Sequence, residues 1–141
     1  MTMKKIIVAV DGSDLSNKAL DRAIFEATRH GAEVLCVNVV EGLTFLAYKR
    51  DEIPDAWEHL MREPKKLLAE AAQKAEAAGV RLRTLAEAGR PAETIAKLAR
   101  QENADEIIVG SRGKNALDNM LLGSVSGRLV QIAPCTIVVV R

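Results

Sequence analysis

The sequence predicts an α/β fold, an open five-stranded parallel sheet with helices on both faces. Three observations predict it. Five short β-rich runs recur along the chain, stretches of helical periodicity separate them, and four of the five runs are almost continuously apolar. A strand covered by helices above and below has no polar side, so it reads as an unbroken apolar run. Strand and helix in alternation, joined by right-handed crossovers, give a parallel sheet with helices on both faces.

The first strand is expected over 5–10, KIIVAV, and Ser13 or Asp14 caps the helix that follows. That helix places Ala19, Leu20, Ala23, Ile24 and Ala27 on one face. It stops at His30-Gly31, a cation and a glycine where a helix C-terminus favours both. The second strand is expected over 33–40, and a long alanine-rich helix ends at Ala78-Gly79. The third strand, 80–86, alternates Val80, Leu82, Thr84 and Ala86 with Arg81 and Arg83, the pattern of an edge or half-exposed position. Pro91 suits the first position of a helix that buries Ile95, Leu98 and Ala99. A strand over 106–109, a helix carrying Val125, Leu129 and Ile132, and a strand over 136–140 complete the chain.

At 141 residues this is one domain, 1–141, large enough to bury about two-thirds of its unfolded surface. A net charge of +1 argues against a nucleic-acid binder, and Lys65-Lys66 and Arg81/Arg83 read as solvated faces. No window approaches 18 apolar residues, so no membrane span is expected. The apolar stretch after Lys4-Lys5 is too short for a signal-peptide core, which makes the cytoplasm the expected compartment. Cys36 and Cys135 read as reduced thiols, and no close Cys/His grouping suggests structural zinc.

Between Gly110 and Ser126 the chain reads GSRGKNALDNMLLGSVS, a glycine-punctuated loop between an apolar strand and a helix. Glycines let backbone approach an anion with no Cβ in the way. A helix starting near Ser124 adds free amides and the positive end of its dipole. The plainer reading is a connection whose glycines only allow turns, with Ser124 as an N-cap. The loop is neither G-x-x-x-x-G-K-[ST] nor G-x-G-x-x-G. In open sheets of this kind ligands sit beyond the carboxyl ends of the strands, where strand order reverses. That edge gathers Asp11-Gly12-Ser13, Val39-Val40-Glu41 and Gly110–Gly113, and their convergence favours phosphate binding. In that reading Gly110 and Gly113 permit close approach. The amides of Gly123, Ser124, Val125 and Ser126, with the two serine hydroxyls, grip the phosphates. Arg112 and Lys114 either add charge or point to solvent.

The spacing G-x2-G-x9-G-[ST] at a strand-to-helix junction resembles the nucleotide loop of the universal stress protein family. Lys4 to Ser13, Gly89-Arg90-Pro91, Asp105 and Ala133-Pro134-Cys135 before Ile137 match other parts of the family pattern, so the resemblance covers essentially the whole chain. It implies a Rossmann-like, adenine-nucleotide α-hydrolase-like domain that binds ATP, or ADP or AMP. The positions of Ala9, Val10 and Asp11 would lie against ribose and adenine, and backbone at Val39 would read the adenine edge. Val109, Gly110, Arg112, Gly113 and Gly123 to Ser126 would hold ribose and phosphates. Mg or Mn would accompany the nucleotide, held mainly by its phosphates, with no protein metal site. Asp118 departs from the pattern, since relatives often carry a base nearby and an inward acid would repel phosphate. In relatives the last strand pairs with its copy, which implies a homodimer through 136–140 and shields an aggregation-prone edge.

The expected function is a dimeric, nucleotide-occupied regulatory or stress-response module. No motif places a general base: His30 closes a helix, and His59 falls in the variable segment 41–64. At most slow ATP hydrolysis is expected. A weak hydrolase or adenylyl-transfer enzyme, and a nucleotide-free interaction module, are the alternatives. Phe45, Tyr48 and Trp57 lie in 41–64, which would form a lid over the nucleotide, face a protein partner, or simply pack on the long helix.

Overall fold

The strands of the computed structural model follow the order β3-β2-β1-β4-β5, and every pairing is parallel. Residues 3–113 and 121–141 are described. The strands are β1 (Lys5–Ala9), β2 (Glu33–Val40), β3 (Leu82–Ala88), β4 (Glu106–Gly110) and β5 (Thr136–Val140). The helices are α1 (Asp14–His30), α2 (Thr44–Ala47), α3 (Pro54–Leu60), α4 (Arg62–Ala77), α5 (Pro91–Glu102) and α6 (Ser124–Ile132). This is the α/β architecture expected from the sequence, with β3 at one edge and β5 at the other.

Side-chain alternation along the strands divides the core into two layers. Ile6, Val8 and Val10 of the first strand segment pack with Ala19, Ala23 and Ala27 of α1 and Leu68 and Ala71 of α4. Ile7 packs on the other face with Ile95, Ala96 and Ala99 of α5 and Leu129 of α6. Fully buried, a side chain such as Leu129 or Ile95 contributes about 1.5–3 kcal/mol. Alanines dominate the inner faces of α1 and α5, which lets both helices sit close to the sheet.

The element ends follow from local hydrogen bonds. Ser13 is the N-cap of α1, its hydroxyl accepting the Ser16 amide at 3.2 Å, and Gly31 closes the helix in the left-handed conformation. Asp105 ties β1 to β4: its Oδ2 accepts the amides of Lys4 at 2.8 Å and Lys5 at 2.9 Å. Those two backbone donors hold its carboxyl below the usual aspartate range. The expected third strand, 80–86, runs two residues later. Val80 is taken up in closing α4, its amide donating to the Ala75 carbonyl at 2.9 Å past the left-handed Gly79, and pairing with β2 then carries β3 on to Ala88. Strand β1 ends at Ala9 rather than Val10, although the Val10 amide still donates to Val37 at 2.9 Å. Strand β4 reaches Gly110, one residue beyond expectation.

Segment 41–64 is helical for much of its length. Pro54 opens α3 at a position where its missing amide costs nothing, and Met61 links α3 to α4. Cys36 is fully buried in β2, and desolvation pushes its thiol pKa up to about 12. Among the described residues no helix is long and apolar enough to cross a membrane.

Candidate functional site

Strand order reverses between β1 and β4, so the chain leaves their carboxyl ends in opposite directions and opens a crevice there. A cleft of about 950 Å³ occupies it. One wall is the end of β1 and the turn into α1, with Ala9, Val10, Asp11 and Gly12. The end of β2 brings Val39 and Glu41, and α4 brings Glu63, Lys66, Leu67 and Glu70. Opposite them stand Val109, Gly110, Arg112 and Gly113, and the first turn of α6, Gly123 to Ser126. Every residue expected to contact nucleotide therefore lines one cavity. Lys114 and Asp118 lie outside the described residues.

The turn after β1 is built by its own polar groups. Asp11 Oδ1 accepts the Ser13 amide at 2.9 Å, and the Asp11 amide donates to Ser16 Oγ at 3.2 Å. Gly12 has φ +86°, a left-handed value that any side chain would strain. The Asn38 side chain donates to the Val10 carbonyl at 2.7 Å and locks the end of β1 onto β2. Asp11 therefore fills the turn-forming role and also faces the cleft.

The loop glycines serve chain packing. A Cβ on Gly110 would stand 3.1 Å from Leu15 backbone and side-chain carbon, so this glycine lets the start of α1 cross the end of β4. A Cβ on Gly123 would stand 3.2 Å from Arg112 Cα, where residues 111–113 pass the start of α6. At Gly113 it would meet Asp11 Oδ2 at 3.0 Å. None of the three has a positive φ. Gly110 and Gly113 are therefore closely packed, and both still line the cleft where the expected anion would approach.

Ser126 departs from expectation. Its hydroxyl accepts the Gly123 amide at 3.0 Å and donates to the Ser111 carbonyl at 2.7 Å, all of it buried. The hydroxyl is therefore committed to holding the loop, and what Ser126 can offer an anion is its amide. Gly123 is the N-cap of α6 and brings no side-chain acceptor. The amides of Ser124, Val125 and Ser126 lie in the first turn, where no intrahelical carbonyl can reach them. With the dipole they make an anion-seeking corner.

The charge of the cleft is mixed. Its described lining carries the carboxylates Asp11, Glu41, Glu63 and Glu70 against the cations Lys66 and Arg112. Neither histidine lines it: His30 sits 3.5 Å from Glu26 at the far end of α1, and His59 is exposed on α3. Among the described residues no group of three or more His, Cys, Asp or Glu is arranged to hold a metal. Trp57 is also elsewhere, in a separate cavity beside β3, while Phe45 and Tyr48 are 70% and 87% exposed. Of the three readings of segment 41–64, packing on the long helix fits Trp57, which shares its cavity with Leu68, Ala69 and Ala72 of α4. Residues of α4 also wall the nucleotide-sized cleft.

The sequence model of the Universal stress protein family matches residues 2–141. The chain belongs to that family. Universal stress protein YxiE of Bacillus subtilis is 36% identical, covering 97% of this chain and 98% of that protein. Among solved structures, universal stress protein UspA from Lactobacillus plantarum superposes with a TM-score of 0.83 at 28% identity, over 100% of this chain and 99% of that one. A universal stress protein in complex with cAMP superposes at 0.72 with 25% identity, over 100% of this chain and 98% of that one.

Sequence reasoning missed Asn38, Ser111 and the α4 wall. Asn38 had a signal, being the one polar residue in the apolar run from Val34 to Val40. The wall residues Glu63, Lys66, Leu67 and Glu70 have the spacing of one helix face, but only tertiary packing decides what that face meets.

Proposed function

We propose that the cleft binds an adenine nucleotide (ATP, or ADP or AMP) with its phosphates at the start of α6, and that the occupied protein acts as a dimeric regulatory module. The observation that carries this is the N-terminus of α6, which opens into the switch-point cleft with a glycine in place of a capping side chain. The family relative in complex with cAMP supports an adenine ligand. In the described lining, four carboxylates against two cations favour a polyphosphate that arrives with Mg or Mn, since the cation offsets a repulsion the bare anion would meet. Asp11 would face ribose or that cation. With no histidine or cysteine in the described lining, hydrolysis would rest on positioning and metal, and would be slow.

Dimerisation would use β5. The Ser111 amide donates to the Val140 carbonyl at 2.7 Å, so Val138 and Val140 turn their backbone groups to β4, while Ile137 and Val139 turn theirs outward. Val139→Pro removes an outward donor and should give a monomer by light scattering.

The site is tested by Ser124→Asp. Ser124 is exposed at the first position of α6, so a carboxylate there suits the dipole and keeps the fold. The same charge should expel phosphate and weaken Mg-ATP binding at least tenfold by calorimetry. Nucleotide released on denaturing fresh wild-type protein, and absent from the variant, agrees with the proposal. Undiminished affinity in a folded variant overturns the placement of the phosphates.

A further inference from the structure

We infer that a second cavity, between α4 and the edge of β3, binds a free straight-chain carboxylate of medium length. The cavity measures about 460 Å³ and lies apart from the cleft at the switch point. Its volume falls in the range of small-molecule pockets. Met61 and Leu68 form its floor, 3% and 4% exposed, and Trp57 stands at its side. Alanines create the space: Ala47 on α2, Ala69 and Ala72 on α4, and Ala86 and Ala88 on β3. The shape follows from chain direction. Helix α4 runs into the turn at Gly79, where the Val80 amide donates to the Ala75 carbonyl at 2.9 Å, and β3 runs back beside it. Ala72 and Thr84 therefore lie at the turn end of the cavity, and Lys65 and Ala88 at the opposite end. From Lys65 to Ala72 the helix advances about 10 Å, at about 1.5 Å per residue.

The two ends differ in polarity. Lys65 stands at the Ala88 end, and Arg50 belongs to the segment that follows β2, whose last residue, Val40, pairs with Ala88. Arg50 has no ion pair among the described residues. Lys65 reaches only Glu58, at 3.9 Å, and both side chains are largely exposed, so an incoming carboxylate meets little competition. The Gly89 amide donates to the Val40 carbonyl at 3.1 Å, which turns the Ala88 amide away from β2 and toward the open edge as a further donor. Glu87 shares the strand face of Leu85, which packs toward α5, so its carboxylate points away from these cations. The turn end holds Ala69, Ala72 and Thr84, with no charged group in the described lining there. One anionic head and one apolar tail suit this gradient. An extended chain of about eight carbons spans the distance from Lys65 to Ala72, at roughly 1.25 Å per bond.

The probe is sodium octanoate, titrated into the folded protein below its micelle-forming concentration. Trp57, the one tryptophan of the chain, reports on the cavity by its emission, and calorimetry gives the affinity. Hexanoate, decanoate and dodecanoate test the length, and octanol and octylammonium test the charge. Affinity should rise roughly fourfold per methylene from hexanoate to octanoate and level off by dodecanoate. Octanoate should bind roughly tenfold tighter than octanol, as charge-assisted hydrogen bonds allow. The double variant Arg50→Glu/Lys65→Glu, changed at two exposed positions, should lose that preference and keep its octanol affinity. Ala72→Leu fills the turn end and should make octanoate bind no tighter than hexanoate. No binding, octanol or octylammonium binding as tightly as octanoate, or a preference that survives in the double variant overturns the proposal. Affinity still rising as steeply from decanoate to dodecanoate also overturns it, because the tail would then lie outside a cavity of this length. Displacement of octanoate by Mg-ATP overturns it too, because the ligand would then occupy the other cleft.

Discussion

Replacing Gly123 by alanine puts a Cβ 3.2 Å from Arg112 Cα, 3.4 Å from the Ser111 carbonyl oxygen and 3.5 Å from the Gly113 amide nitrogen. All three atoms are backbone, so none can swing aside as a side chain would. Gly123 has φ −77°, which alanine adopts freely, so the penalty is steric and not conformational. Overpacking of this kind costs about 1–2 kcal/mol. Gly127, four residues on in the same helix, supplies the control. A Cβ there would meet Leu122 Cβ at 3.8 Å, an ordinary contact, and alanine in a helix interior gains about 0.5–1 kcal/mol over glycine. The two variants make the same chemical change with opposite expected signs, separated by roughly 1.5–3 kcal/mol. For a domain of this size that is about 3–12 °C in Tm. Thermal and urea unfolding followed by circular dichroism measure it, and calorimetry with Mg-ATP adds the functional reading. Gly123→Ala should also weaken nucleotide binding, and Gly127→Ala should leave it unchanged. If both variants shift Tm in the same direction, the argument that backbone packing selects glycine at 123 is wrong.

Glu106 is 8% exposed in β4, and its Oε1 has no hydrogen-bond partner among the described residues. Burial first, then the nearby Glu26, raises its carboxyl pKa against the opposing pull of Arg22 and His30. The native state then holds this proton more tightly than the unfolded chain, so Glu106 costs stability above its folded pKa and relieves that cost as pH falls toward the unfolded value. Glu106→Gln should raise Tm at about pH 8, with a smaller gain at about pH 4.5; an equal gain at both would contradict the shift. Cys36, with its thiol pushed up to about 12, should resist iodoacetamide in the native state and react at a rate set by unfolding; mass spectrometry of its peptide during a urea series checks this. Trp57 emission should stay unchanged on saturation with Mg-ATP, because the residue lines the β3 cavity; a large shift would mean that segment 41–64 reaches over the cleft.

The sequence by itself determined the order of the five strands and the four longer helices, though not α2 and α3, because apolar runs and helical periodicity report burial on two faces or one. It also narrowed the α1 cap to Ser13 or Asp14, marked the stop at Gly31 and left the third strand as edge or half-exposed; the structure selects Ser13 and the edge. The candidate site was legible as three segments because strand order places them at one sheet edge. What each residue does there was decided by tertiary structure. Gly110 and Gly123 look alike in sequence, yet one clears Leu15 and the other clears Arg112, and only the crossing of two chain segments makes the difference. The Ser126 hydroxyl could have faced an anion, but the buried Gly123 amide and Ser111 carbonyl need a partner, and an unmet buried hydrogen bond costs more than an exposed one gains. The direction of α4 was equally invisible. Its spacing showed that it had faces, and packing alone decided that Glu63, Lys66 and Glu70 wall one cavity while Met61 and Leu68 floor another. Periodicity is a property of one segment, whereas a site is made where segments distant in the chain exclude water together.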